Sequence, residues 1–480
     1  TVLSEKIGID WAGSTVTPMG ETNLPFVFET MRLPKYNKSF VDLKWSNKDD
    51  SKARIRSYFE NLIILMRNKV LANGGNLTST KIAWFYPASM SSTRVKEIRD
   101  TWKELYELYF GGDKDKQIIT MSESIVPYYY YKKNSKATTN VVSVDIGGGT
   151  SDILIVKDGN PLYLSSCRFA ANAVFDCQPC RSNPFINKYI DKFRKILEVQ
   201  SLDGIIQLVD SFMEDGKPAS DIVMLLFSLI ENKVVIDKQI MNKVNYSAML
   251  FSDSKLKTLF ILFYTALIYH IARIMKCKSL EFPRHLTFSG TGSKLLQILI
   301  DVNDKGILEE YTKLVFEKVY GTEYNEDGLD ILINTSNPKE VTCKGGLIEM
   351  RTMSVADIED MKVCLLGTTK NDFVSSSLKY SDVNGNQELI SEVVKEVNAF
   401  TGLFYDLNEE FSFHKKFGAM KTEDLEGLRQ HFTRDIAKSI KDGISEKNLQ
   451  NEVEETLFFY PIREILCAIG GNIKMLEPEE

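Results

Sequence analysis

A chain of 480 residues, 43% hydrophobic and 26% charged, has the balance of an ordinary globular protein with room for several domains. Its formal net charge of -6 excludes a general nucleic-acid binder, because no basic excess neutralises phosphates on a broad front. Seven cysteines are too sparse and uneven for a disulfide framework, so a reducing, cytoplasmic setting is expected.

Residues 1–9 carry no basic-then-apolar secretory pattern, and a first residue of Thr leads us to expect an excerpt of a longer protein, or a processed one. In chain order, EKIGIDWAGSTV opens as a strand that ends in a turn of small residues. Residues 51–72 carry apolar positions at helical spacing. KIAWFYPAS is a strand closed by Pro87, and residues 93–110 form a second amphipathic helix stopped by Gly111 and Gly112. QIITMSES is a further short strand. Residues 140–157, NVVSVDIGGGTSDILIVK, read as strand, glycine turn and return strand.

Residues 185–275 are mostly helical by period. Within them, residues 256–275 resemble a membrane span, but Lys257, His270 and Arg273 cut the apolar run. A helix buried in a protein core is expected there. Residues 285–290 predict a strand running into the loop GTGS, with a helix continuing over 294–302. Residues 344–350 look helical, and 351–480 hold one strand candidate, MKVCLLG, among mainly helical patterns. There is no internal repeat and no low-complexity tract, and EPEE forms a short acidic end.

Three turns carry chemistry. In DIGGGTSD, Gly147, Gly148 and Gly149 let the backbone approach an anion and present several N–H groups at once. Asp145 ends an apolar strand, where a carboxylate is costly without a partner such as a metal ion. Thr150 and Asp152 begin the return strand. A plain hairpin turn is the competing explanation, but hairpins rarely need an acid on both sides of three glycines. GIDWAGST repeats the design, with Asp10 followed by Ala12, Gly13, Ser14 and Thr15. FSGTGS is a third strand-to-turn junction, at Gly290, Thr291, Gly292 and Ser293. It lacks the third glycine of a dinucleotide fingerprint, where Leu295 stands, and the Gly-Lys-Ser/Thr ending of a P-loop.

The remaining signals are weaker. Cys177 and Cys180 form a lone CxxC, which makes a poor zinc site and lacks a thioredoxin-like setting, so a surface loop is expected. The tyrosines at 128–131 are expected on one helix, turned toward a lobe interface and solvent. The four histidines are scattered, and none is paired with a nucleophile.

Together the three turns, in this order, resemble the superfamily of actin, sugar kinase and heat shock protein 70 ATPases, closest to the chaperone branch. ITMSESIVPYYYY resembles that family's first connecting helix, PKEVTCKGGL its second, and KIAWFYPASMSSTRVKEIRDTWKELY the strand, Pro turn and helix of the chaperones. The resemblance runs from about residue 6 to 350. It implies an α/β, two-lobed actin-like ATPase fold of duplicated ribonuclease H-like lobes with a mainly helical C-terminal extension. The first lobe would span 1–140, the second 141–337 and a connecting helix back 338–350, with 351–480 packed on the first lobe. An independent domain at 351–480 is the alternative. Three departures stand out: Ala12 replaces the glycine usual after the first acid, the segment between the phosphate turns is shorter than in the chaperones, and the phosphate-contacting lysine cannot be located.

The resemblance further implies ATP or ADP with Mg2+ between the lobes. The turns at 12–15 and 147–150 would grip the phosphates, and the turn at 290–293 would hold the adenosine. Asp10 and Asp145 would hold the metal through water, and Glu123 would position the attacking water. The expected activity is a magnesium-dependent ATPase of low turnover, a switch whose lobe motion signals to a partner protein. The alternative is a filament-forming, self-associating actin-like protein. A metabolite kinase ranks third, because no sugar-contacting pattern stands out. Neither a nucleic-acid partner nor a membrane span is expected.

Overall fold

The computed structural model describes residues 49–88, 90, 92–135, 139–175, 188–200, 202–214, 222–223, 226–227, 245–300, 305–324, 328–333, 338–365, 379–433, 435–445, 447, 449–451, 453 and 455–472. The chain forms two compact units, one of residues 1–129 and 343–360, the other of 130–342 and 361–480. The three crossings fall inside the helices Val126–Asn134, Pro338–Ile348 and Val355–Met361, the first two rather than at the residue 140 and 337 boundaries the sequence suggests.

In the first unit, helix α1 (Asp49–Ala72), strand β1 (Ile82–Tyr86), helix α2 (Ser92–Phe110) and strand β2 (Ile118–Ser122) follow in chain order. The strands pair in parallel, Ile82 opposite Ile118, which requires the crossover that α2 supplies. Helices α1 and α2 meet through a stack of Phe59 on Trp102, with ring centroids 4.6 Å apart. The buried Tyr106 donates its hydroxyl to the carbonyl of Thr80 at 2.8 Å, as a buried phenol requires. Ile119, Met121 and Val126 form a small apolar core to which Phe85, Met350 and Met353 add. A Cβ on Gly346 would fall 2.4 Å from the Phe85 ring. The small residues of PKEVTCKGGL thus let this helix approach strand β1 closely.

Helix α3 (Val126–Asn134) carries the tyrosine run. Tyr128 and Tyr131 are buried and Tyr129 and Tyr130 are half-buried, so none of the four faces solvent freely, which corrects the solvent-facing part of the expectation. Burial pushes the Tyr128 phenol up to about 12.

The second unit is built on a five-stranded sheet: β3 (Val141–Ile146), β4 (Ser151–Lys157), β5 (Asn160–Cys167), β6 (His285–Ser289) and β7 (Asp330–Ile333). Its order is β5-β4-β3-β6-β7. The first three strands form an antiparallel meander, while β6 and β7 run parallel to β3. β3 is central and its residues are buried except for the half-buried Asp145, as expected of a strand covered on both faces. Strands β5 and β7 were not foreseen. Pro161 and a register shift at Ile155/Val156 blur the first, and the second is four residues long.

Helix α4 (Ser254–Cys277) is the core helix of this unit. Asp253 caps it, accepting from the N–H groups of Lys255 and Leu256. It is long and apolar enough to cross a membrane, yet 94% of its most apolar window is buried inside the protein. Each fully buried Leu, Ile or Phe side chain there stabilises the fold by about 1.5–3 kcal/mol. Helix α5 (Gly306–Tyr320) packs against it.

The described C-terminal helices also join this unit. Helix α6 (Gln387–Phe411) packs on α4 and α5, and α7 (Phe459–Asn472) packs on α4. Arg273 of α4 pairs with Glu396 of α6 at 3.0 Å. The Lys257 ammonium donates to the carbonyl of Phe417 at 2.8 Å, and the Met420 N–H to the hydroxyl of Thr258 at 3.0 Å. These contacts correct the expectation that 351–480 packs on the first lobe: from residue 361 onward the chain belongs to the second unit. The reason is the width of α4's apolar surface, which the sheet and α5 leave partly to be covered. MKVCLLG also departs from its predicted strand. It contributes an isolated bridge, Lys362 beside Leu164.

Candidate functional site

In the second unit the candidate site lies at the ends of β3 and β6. Parallel pairing sets Asp145 opposite Ser289, and antiparallel pairing sets it opposite Asp152. The Ser289 hydroxyl donates to Asp145 Oδ2 at 3.1 Å and the Thr342 hydroxyl approaches the same oxygen at 3.5 Å. The carboxylate is half-buried and held in one orientation by groups from a strand and a helix. Asp152 is buried, with 5% of its surface exposed.

The turn after Asp145 is closed by the Gly147 N–H donating to the carbonyl of Thr150 at 2.8 Å. It is backed by a segment that follows β5. The N–H groups of Ala171 and Asn172 donate to the carbonyls of Gly147 and Gly148 at 3.3 and 2.8 Å. None of the three glycines adopts a left-handed φ, so their conformation does not account for them. Space accounts for two. A Cβ on Gly147 would sit 3.1 Å from the Thr150 carbonyl, and one on Gly148 would sit 3.3 Å from Asn172 Oδ1. At Gly149 a Cβ would meet nothing within 4 Å among the described residues, and this glycine is exposed.

The glycines of the third turn have a different reason. Gly290 has φ 78° and ψ 157°, a region that side chains other than hydrogen avoid. Its Cβ would fall 2.3 Å from both Asp145 Oδ1 and the Ile146 carbonyl, and that of Gly292 would fall 2.4 Å from the Gly147 carbonyl. This turn therefore rests directly on the Asp145–Gly147 chain. The Ser293 hydroxyl donates back to the Gly290 carbonyl at 2.7 Å, while Thr291 is exposed. Tyr131 donates to the Phe288 carbonyl at 2.6 Å, fixing the strand just ahead of the turn. The helix expected over 294–302 is shorter: a 3-10 turn, Thr291–Leu295, then one helical turn, Leu296–Leu299. A helix of that length supplies little dipole for an anion.

Asp145, Gly147, Gly148, Gly149, Thr150, Gly290, Thr291, Gly292 and Ser293 are thus brought together. Asp10, Ala12, Gly13, Ser14 and Thr15 lie outside the described residues, as do Cys177 and Cys180. Glu123 belongs to the first unit. It directly follows β2, and its N–H donates to the carbonyl of Tyr86 at 2.9 Å. Three residues separate β2 from α3, so Glu123 stands ahead of the helix rather than in its first turn.

Sequence reasoning missed Ser289, Thr342 and Asn172 as members of this site. Ser289 and Thr342 stand inside the motifs FSGTGS and PKEVTCKGGL, but their aim at Asp145 depends on the sheet order. Lys294 follows the third turn, and burial pushes its ammonium below the usual lysine range. Among the described residues no three His, Cys, Asp or Glu side chains gather as a metal site. One oriented carboxylate with hydroxyl neighbours suits magnesium held through its own water shell.

No protein-family description matches the chain, and no curated protein matches it. Solved structures overlap it loosely. One is the ethanolamine utilization protein EutJ from Carboxydothermus hydrogenoformans, 13% identical, with a TM-score of 0.29 over 61% of this chain and 73% of that one. Another is MreB5 of Spiroplasma citri bound to ADP, 12% identical, with a TM-score of 0.28 over 64% and 78%. A third is a non-polymerising variant of MamK bound to AMPPNP, 13% identical, with a TM-score of 0.32 over 64% and 77%. Overlaps this loose assign neither fold nor function.

Proposed function

We propose that this chain is an actin-like ATPase that binds magnesium ATP or ADP through the turns at 10–15, 145–152 and 290–293. Gly149 carries the proposal. Neither its φ nor a neighbour within 4 Å among the described residues explains a missing side chain there. A backbone that must approach a ligand does. The sheet of the second unit supports the reading: a three-stranded antiparallel meander continued by two parallel strands fits a ribonuclease H-like lobe. In this proposal the Gly147 N–H closes the turn on the Thr150 carbonyl, and the N–H groups of residues 148–150 face the phosphates. Asp145, steadied by Ser289 and Thr342, and Asp10 orient waters of the metal. The metal would offset phosphate charge. Glu123 aligns the attacking water.

Of the two outputs the resemblance allows, self-association is preferred to a chaperone-type switch. A client-binding arm would need a module free of the nucleotide core, and the described helices of residues 380–472 are built into the second unit instead. Thermal melting with magnesium ATP tests the binding. A hundredfold excess over Kd should stabilise by about 2.7 kcal/mol, and no shift with ATP or ADP would remove the proposal. Light scattering on adding magnesium ATP then tests the output. A large rise is expected, and a flat trace from a chain that does bind would return the switch.

A further inference from the structure

The five residues after β5 touch two parts of the second unit at once. On one side they back the candidate phosphate turn. Ser151 donates its hydroxyl to the Phe169 carbonyl at 2.6 Å, and the N–H groups of Ala171 and Asn172 donate to the carbonyls of Gly147 and Gly148. On the other side they are held by the C-terminal helices. The Arg168 N–H donates to Glu455 Oε2 at 2.8 Å. The Phe169 ring stacks on Phe459, with centroids 4.3 Å apart and planes 13° from parallel.

Glu455 is 4% exposed. Its other oxygen accepts from Lys447 and Tyr460. A buried carboxylate is costly unless its lone pairs are met, and this one is met on one side by its own extension and on the other by the backbone N–H that begins the 168–172 segment. The segment is therefore fixed at Arg168 and Phe169 by the extension, and fixed at Phe169, Ala171 and Asn172 to the turn. It has little room to move at one end without moving at the other, because packed interiors shift between discrete arrangements rather than deform.

We propose that Glu455 and Phe459 are positioning residues for the nucleotide turn, so that seating of the C-terminal extension and occupancy of the 147–150 turn are coupled through residues 168–172. The inference rests on the nucleotide reading above. Coupling of this kind is reciprocal: whatever the extension does to nucleotide affinity, nucleotide does to the extension. A partner or modification that unseats the extension would then release nucleotide without touching the site.

A second anchor of the same extension supplies the control. Glu396 is also buried and pairs with Arg273 at 3.0 Å, but on α4, without a hydrogen bond to the 168–172 segment. Magnesium ADP affinity is measured by calorimetry on the full chain and on Glu455→Ala and Glu396→Ala, with the stability of each measured alongside. Both variants should lose stability, while Glu455→Ala alone should weaken ADP binding by roughly fivefold or more, the lower end of ordinary coupling. Equal affinity in Glu455→Ala and the parent, or an equal loss in both variants, overturns the proposal. Hydrogen exchange on the parent decides independently should Glu455→Ala fail to fold. ADP should slow exchange at Arg168 as well as at Ala171 and Asn172, and an unchanged Arg168 amide overturns the coupling. A parent chain that binds no ADP overturns the nucleotide reading itself, a result distinct from both.

Discussion

Two glycine-to-alanine changes separate the packing role of the turns from their ligand role. At Gly290 an alanine meets two penalties. The φ of 78° with ψ of 157° is a conformation that costs other residues on the order of 1–3 kcal/mol. Its Cβ would also lie 2.3 Å from Asp145 Oδ1 and the Ile146 carbonyl, and overpacking against groups held by the sheet costs about 1–3 kcal/mol more. Together these amount to about 2–6 kcal/mol, a large part of the roughly 5–15 kcal/mol that holds a typical domain. At Gly149 neither penalty applies, because φ lies outside the left-handed region and a Cβ meets nothing within 4 Å among the described residues. Loss of backbone freedom in the unfolded chain should leave Gly149→Ala within about 1 kcal/mol of the parent, on the stable side if anything. Its magnesium ADP affinity should nevertheless fall by about tenfold or more, equivalent to about 1.4 kcal/mol. Denaturation without nucleotide, set beside titration calorimetry, reads both quantities on both variants. A Gly149→Ala chain that binds as the parent does would refute the reasoning, since that glycine would then have no ligand to accommodate.

Asp145→Ala should weaken magnesium-dependent binding more than Asp152→Ala, because Asp145 stands half-buried at the strand end with Ser289 and Thr342 on its oxygen; calorimetry with equal affinities would misplace the metal. Glu123→Gln should keep ATP affinity and lower single-turnover hydrolysis by roughly a hundredfold, the scale of a lost positioning base, and unchanged turnover would discard that role. His270 is buried beside Phe458 and Phe459, and burial pushes its imidazolium down to about 3. The folded chain therefore binds fewer protons than the unfolded one between about pH 6.5 and pH 3, so this contribution is complete above the unfolded value and is lost as pH falls. His270→Phe should lose about 2 kcal/mol less stability than the parent between about pH 6.5 and 5, as read by urea denaturation at the two pH values; parallel losses would show that His270 does not titrate in that window.

The hairpin around DIGGGTSD was legible in the sequence because everything it needs is local: two apolar runs, a glycine turn and an acid on each side. Pairing Asp145 with Asp152 follows from the turn alone. The third turn was legible as a turn, but not the reason for its glycines. That reason is the adjacency of β3 and β6, two strands far apart in the chain, and a pattern of small residues does not say which neighbour it must admit. The tyrosines misled for a related cause. A phenol has an apolar body and a polar tip, so Tyr131 reads as amphipathic, whereas its hydroxyl finds the Phe288 carbonyl and the ring is buried. MKVCLLG has the composition of a strand, yet its described residues form isolated bridges, such as Lys362 beside Leu164, rather than a strand. The placement of the C-terminal helices escaped entirely. An amphipathic stripe such as Val393, Val397, Phe400 and Phe404 on α6 shows that the helix needs a partner and leaves open which one.

The candidate turns do not act as separate loops. The carbonyl of Gly147 accepts from Ala171 and lies 2.4 Å from where a Cβ on Gly292 would be; Asp145 accepts from Ser289 and Thr342; Ser151 reaches Phe169. Strand β3, strand β6, the 168–172 segment and the start of the helix Pro338–Ile348 are thus joined by contacts made at the very residues that would meet a nucleotide. A site assembled this way would be preorganised, since the Asp145 carboxylate is already held by Ser289 and Thr342, which spares reorganisation that binding would otherwise cost. If the turn binds phosphate as proposed, the same contacts would pass its gain or loss to a strand end and to the C-terminal extension of the second unit together. In that case a nucleotide-dependent output would require no lever beyond the site's own supports.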